Sequence, residues 1–135
     1  MTYLVDANVL SEATKPEPDA NVLEWLRRHE REIAVDAIIL GEVRYGILIL
    51  PSGQRRQRLE HWFEQGITKI HCLAWDPAVG LRWAQLLADM RAAGRAMPVK
   101  DSMIAATALH HRLTIVTRNT RDFVKTGIPV VNPFG

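Results

Sequence analysis

At 135 residues, with 47% hydrophobic and 24% charged side chains, the chain suffices for one compact domain over residues 1–135 and is too short for two. Its single cysteine, Cys72, excludes an intrachain disulfide framework and suits a reducing compartment. The formal charge of +2 is too mild to identify a nucleic-acid partner by itself.

No apolar run approaches the roughly 20 residues of a membrane helix, so no membrane contact is expected. Met1-Thr2-Tyr3-Leu4-Val5-Asp6 lacks the basic start and long apolar stretch of a signal peptide, and a cytoplasmic location follows as the expectation.

Tyr3-Leu4-Val5 reads as a short apolar strand with Asp6 at its carboxyl end, the end at which open parallel α/β sheets bind ligands. Asp6-Ala7-Asn8 has two readings: a capped turn entering a short helix, or one corner of a carboxylate site if other acids reach Asp6. Two prolines make Lys15-Pro16-Glu17-Pro18-Asp19 a loop. Asp19 then caps a helix with an apolar face of Val22, Leu23, Trp25 and Leu26. Its basic end, Arg27-Arg28-His29-Glu30-Arg31, reads as a solvated face. Ile33-Ala34-Val35 is a second strand, and Asp36 beyond it reads as a helix cap with no catalytic role.

The helix predicted from Ile38 to Leu50 is almost wholly apolar, yet it contains Gly41, Glu42 and Gly46. Interior glycines cost about 1 kcal/mol each relative to alanine, so close approach of a neighbouring helix or chain is expected there. Glu42 is a misplaced acid on this face. Arg44, two residues on, points elsewhere and cannot neutralise it. A structural partner from another part of the fold is the competing reading.

Pro51-Ser52-Gly53 breaks the chain before an amphipathic helix carrying Arg55, Arg56, Arg58, Leu59, Trp62 and Phe63 that stops at Gly66. Ile70-His71-Cys72-Leu73 is a third strand. Asp76-Pro77 then caps a helix carrying Val79, Trp83, Leu86, Leu87 and Met90. A basic connector, Arg91 to Pro98, leads to a helix whose apolar stripe is Val99, Met103, Ile104, Ala106, Thr107 and Leu109. Asp101 lies inside that stripe. Helix propensity gives no reason for it, and an ionised carboxylate there needs a cation or several donors. Leu113-Thr114-Ile115-Val116-Thr117 is a β-branched strand ending in Arg118-Asn119-Thr120-Arg121-Asp122-Phe123, and Val130-Val131 is a last short strand. Strands alternating with helices predict an α/β fold: a mostly parallel sheet of about four or five short strands flanked by helices.

In such a fold Asp6, Glu42, Asp101 and the Asn119/Asp122 segment open into one crevice at the carboxyl edge of the sheet. Carboxylates so close repel and raise each other's pKa values unless cations hold them ionised. Hard oxygen ligands without thiolate or an organised histidine set select Mg2+, with Mn2+ as a substitute. His29, His61, His71, His110 and His111 show no HExxH spacing, and neither a phosphate-binding glycine loop nor a Gly-x-Ser-x-Gly elbow occurs. Carboxylate-held Mg2+ is suited to in-line attack of water on a phosphodiester.

The order of these motifs resembles the PIN-domain ribonucleases. Asp6-x-Asn8 follows a strand, Glu42 begins Glu-x-x-x-Gly, Asp101 precedes Ile104-Ala105-Ala106-Thr107-Ala108, and Thr117-Arg118-Asn119 precedes Asp122-Phe123. More narrowly, the chain resembles the VapC-type toxins of type II toxin–antitoxin systems, including the FitB-like group with its Asn-Pro-aromatic ending, here Asn132-Pro133-Phe134. The resemblance spans essentially the whole chain. It implies a PIN-like fold and a Mg2+-dependent endoribonuclease in which Asp6, Glu42 and Asp101 hold metal, with Asn8 orienting them and Thr117 close by. It also implies a homodimer, a higher heteromeric assembly, and a cognate VapB-type antitoxin whose tail enters the acidic site, often with an arginine. Many relatives carry a fourth acid where this chain has Asn119. Asn119 is expected to orient a ligand or water, and Asp122 stands one turn on. The pair also resembles a capping box, so the fourth position and a second metal stay open. Two other classes fit less of the pattern: an aspartyl-phosphate phosphatase using Asp6 and recruiting Lys100, which usually carries a second acid where Asn8 stands, and a non-catalytic binding module.

Overall fold

The strands are short and apolar because both faces of the sheet are covered. In the computed structural model, which describes residues 1–135, β1 (Tyr3–Val5), β2 (Ile33–Asp36), β3 (His71–Leu73), β4 (Thr114–Val116) and β5 (Val130–Val131) form one sheet in the order β3-β2-β1-β4-β5. Every pairing is parallel, with Leu4 beside Ala34 on one side and Ile115 on the other. Leu4, Val5, Ala34, Val35, Ile115 and Val116 are wholly buried, the continuous apolar pattern of a sheet sandwiched between helices. The chain runs outward from β1 through β2 to β3, then crosses back to place β4 on the free side of β1. Strand order therefore reverses between β1 and β4, and the crevice outside their carboxyl ends is the natural ligand position.

The helices are α1 (Ala7–Glu12), α2 (Ala20–Arg28), α3 (Ala37–Leu48), α4 (Gln54–Gln65), α5 (Pro77–Ala92), α6 (Val99–His111) and α7 (Thr120–Val124). None is long and apolar enough to cross a membrane. Asp6, Asp19, Asp36 and Asp76 cap α1, α2, α3 and α5 by accepting backbone N–H groups, which fixes where each helix leaves its strand or loop.

Several boundaries differ from the sequence expectation. The helix predicted to reach Leu50 ends at Leu48. Ile70 lies outside β3, in the chain leaving the 3-10 turn Ile67–Lys69. Leu113 and Thr117 fall outside β4. Arg112, in the left-handed region at φ 57°, turns the chain off α6, and the Leu113 amide bonds back to the Ala108 carbonyl.

The buried face of α6 keeps Ile104, Ala106 and Thr107 of the predicted stripe and differs in the rest. Ser102, Ile104, Ala105, Ala106, Thr107 and Ala108 are buried, whereas Val99 is 66% exposed. Three small alanines let this helix sit close to its neighbours, and Trp83 Nε1 donates to Ser102 Oγ at 2.9 Å across the α5–α6 contact. Gly41 and Gly46 do not serve close packing with a helix of this chain: a β-carbon at either would meet no atom within 4 Å.

Candidate acidic active site

Asp6 anchors the site where strand order reverses. It is 5% exposed and oriented by three donors. Its Oδ1 accepts the Ala7 amide at 2.8 Å, and its Oδ2 accepts Asn8 Nδ2 at 3.0 Å and Thr117 Oγ1 at 2.8 Å. The capping reading of Asp6-Ala7-Asn8 holds through one carboxylate oxygen, while the other is held by Asn8 and Thr117. Asn8 spans β1 and β4: its Oδ1 accepts the Arg118 amide at 3.2 Å. Thr117 Oγ1 in turn accepts the Asn119 amide at 3.1 Å.

Glu42 projects from the middle of α3 and meets Lys100 Nζ through Oε2 at 3.1 Å. The structural partner foreseen for this acid exists, yet it satisfies only one oxygen. Oε1 is buried with no hydrogen-bond partner. Burial raises the pKa of Glu42, assisted by the charges of Asp6 and Asp36 and opposed by Lys100. Arg44 is turned away over the Phe63 ring, as its spacing required.

Asp101 is the third residue of α6 and belongs to its first turn. A negative charge is favourable there, so α6 itself supplies a reason for the acid that propensity alone did not. Its pKa is nonetheless pushed up to about 6, first by partial burial and then by the charges of Asp6, Asp122 and Glu42, with Lys100 opposing. Asn119 Nδ2 donates to Asp101 Oδ2 at 3.2 Å and to Asp122 Oδ2 at 3.1 Å. Asn119 makes no side-chain cap to α7, so the capping-box reading fails. A neutral amide there separates two carboxylates that would otherwise repel. Phe123, fully buried, pins this segment to the core.

Asp36 and Lys100 complete the charge balance. Asp36 is fully buried and accepts the Ile39 amide at 2.8 Å and Thr107 Oγ1 at 2.6 Å. Burial raises its pKa despite these donors, and Asp6 adds to the effect. Its role as a cap was legible, but its closeness to Asp6 was not. The signal available was Thr107, a hydroxyl on an otherwise apolar helix face.

No three acidic, histidine or cysteine side chains stand together so as to hold a metal ion, and Lys100 and Asn119 lie among the acids. The donor set still suits a hard cation. It consists of carboxylate oxygens, one of them buried and unpartnered, and burial first, with neighbouring acids second, raises the pKa values of Glu42 and Asp101.

The family profile described as PIN domain matches residues 3–129. Toxin FitB of Neisseria gonorrhoeae is 33% identical over 135 residues, covering 97% of each chain. VapC ribonuclease Y4jK of Sinorhizobium fredii is 32% identical, covering 97% of this chain and 96% of its own. Among solved structures, FitAB bound to an IR36 DNA fragment superposes with a TM-score of 0.93 at 31% identity, covering 99% of this chain and 96% of that one. Matching motifs, a matching sheet and relatives aligned over nearly their full length lead to one assignment: the chain belongs to the PIN domain family.

Proposed function

We propose that the chain is the endoribonuclease toxin of a VapBC-type toxin–antitoxin pair, cleaving RNA phosphodiester bonds with Mg2+, or Mn2+ as a substitute, held by Asp6, Glu42 and Asp101. The observation that carries this reading is the hydrogen-bond network at the crevice where β1 and β4 end: Thr117 bonds both Asp6 and the Asn119 amide, Asn119 bonds Asp101, and Lys100, next to Asp101, pairs with Glu42. The ribonuclease and toxin names of the full-length relatives support it. When bound, Mg2+ supplies activation of water for in-line attack and stabilisation of the departing oxygen. Asn8 and Thr117 fix the Asp6 carboxylate, and Asn119 sets Asp101 and Asp122 relative to one another. The aspartyl-phosphate alternative is less supported, because Lys100 pairs with Glu42.

The proposed partners are a cognate VapB-type antitoxin and a second copy of the chain, acting in the cytoplasm, with a larger heteromeric assembly built from both. A groove of about 260 Å³ between α1, α3 and α4 runs beside Glu42, lined by Lys15, Gly46, Leu50, Arg55 and Trp62. Gly41 and Gly46 leave α3 open to close approach, and Tyr45 and Ile49 expose large apolar surfaces on and just beyond it. The FitAB neighbour is consistent with such pairing.

Purified protein incubated with single-stranded and structured RNA, with and without Mg2+ or Mn2+, tests the activity. Asp6→Asn and Asp101→Asn are each expected to lower cleavage by more than roughly 100-fold, beyond the loss typical of an outer-shell partner, with the fold intact. Cleavage that survives both substitutions, or persists in excess chelator, contradicts the reading.

A further inference from the structure

Arg118 and the tail Asn132-Pro133-Phe134 are not used by the carboxylate site, yet the fold brings them together beside it. The Arg118 guanidinium lies over the Phe134 ring, 4.5 Å from its centroid. Phe134 is itself fixed: its amide donates to Asn132 Oδ1 at 3.0 Å, closing a turn that Pro133 stiffens, and the next amide, Gly135, donates to Asp19 Oδ2 at 3.2 Å. At the other end, the Arg118 amide is tied to Asn8, whose Nδ2 holds Asp6. The Arg118 backbone is thus anchored one side chain away from Asp6, and its guanidinium is seated on Phe134 where Glu12 and Asp19 feel its charge.

Its charge is left available. Arg118 enters no salt bridge, and its guanidinium donates no hydrogen bond within the chain. The acids that feel it are already occupied: Glu12 by Lys15 and the Asp19 amide, and Asp19 by the amides of Asn21 and Gly135. A guanidinium resting on a ring keeps its in-plane N–H groups free for two oxygens of one anion. Because the tail orders it before any ligand arrives, little side-chain entropy is lost on binding.

We propose that Arg118, seated on Phe134, is a substrate-binding residue that takes a phosphodiester of the RNA backbone on the Asp6 side of the crevice. This rests on the RNA-cleaving reading above, and the test separates the two. An Asp101→Asn protein, unable to cut, is titrated into a labelled single-stranded oligoribonucleotide across a salt series, alone and combined with Arg118→Ala, Arg118→Lys or Phe134→Leu. Arg118→Ala is expected to weaken binding by roughly five- to tenfold and to reduce the slope of log affinity against log salt by about 1. Arg118→Lys keeps the slope with weaker binding, and Phe134→Leu falls between, because the charge stays while its seat is lost. A DNA oligonucleotide of the same sequence shows the same dependence, since the phosphate is shared.

Wild-type affinity and slope in Arg118→Ala, whether or not its melting temperature falls, would reduce the stack to a lock on the tail and overturn the proposal. So would weakened RNA binding with an unchanged slope, or Arg118-dependent binding of polyglutamate without RNA binding. Arg118-dependent, salt-sensitive RNA binding by a wild-type chain that fails to cleave would remove the reaction and leave the phosphate contact standing.

Discussion

Asp101 is caught between a favourable helix terminus and three unfavourable carboxylates. Its pKa of about 6 in the fold lies above the 3.8 of an unperturbed aspartate, so the folded state keeps this proton longer than the unfolded chain. The stabilisation from that proton is complete below about pH 3.8 and is lost as pH rises through about 6. Melting curves of metal-free protein across this window should show the decline, and Asp101→Asn should flatten it. Protons and a divalent cation compete for the same group, so Mn2+ affinity should weaken as pH drops below about 6. A metal affinity independent of pH between 5 and 7 would argue against Asp101 as a ligand. Thr107 makes a different kind of contribution, as a donor to the buried Asp36. Thr107→Val retains the shape but leaves a buried carboxylate oxygen unpaired, and chemical denaturation should read a loss of about 1–3 kcal/mol.

At the scale of elements, strands and caps were legible because their signals are local. Tyr3-Leu4-Val5, the β-branched run before Thr117, and Asp76-Pro77 each carry their own chemistry of extension or capping. The burial of α6 was legible at Ile104, Ala106 and Thr107 and not elsewhere, because Val99 and Met103 look like core residues by type, while Ala105 and Ala108 serve close packing. The candidate acids could be named from their positions, but their partners could not. The links Lys100 to Glu42 and Asn119 to Asp101 join different elements and exist only after the helices dock. Solvent-exposed apolar side chains on α5 and α6 follow the same logic at the scale of assembly: Leu81 is 75% and Val99 66% exposed. If a second copy covers them, Leu81→Glu should shift the protein from dimer to monomer in sedimentation. A wild-type chain that is monomeric at micromolar concentration would remove that surface from the account.

For the whole molecule, a small parallel sheet serves to bring acids from three distant parts of the chain to one edge. The reversal of strand order places Asp6 and Thr117 side by side, α3 and α6 carry Glu42 and Asp101 over them, and the tail returns to stack on Arg118. In a cell, expression without the proposed antitoxin should arrest growth, and Glu42→Gln should relieve the arrest. Equal arrest by that variant would separate toxicity from the acidic site. The most direct measurement is Mn2+ binding at neutral pH, read by calorimetry or electron paramagnetic resonance, in wild type and in Asp6→Asn, Glu42→Gln and Asp101→Asn. A common ion predicts that each single substitution weakens the same site by about 10-fold or more, whereas wild-type affinity retained in all three variants would contradict the convergence of these acids on one metal.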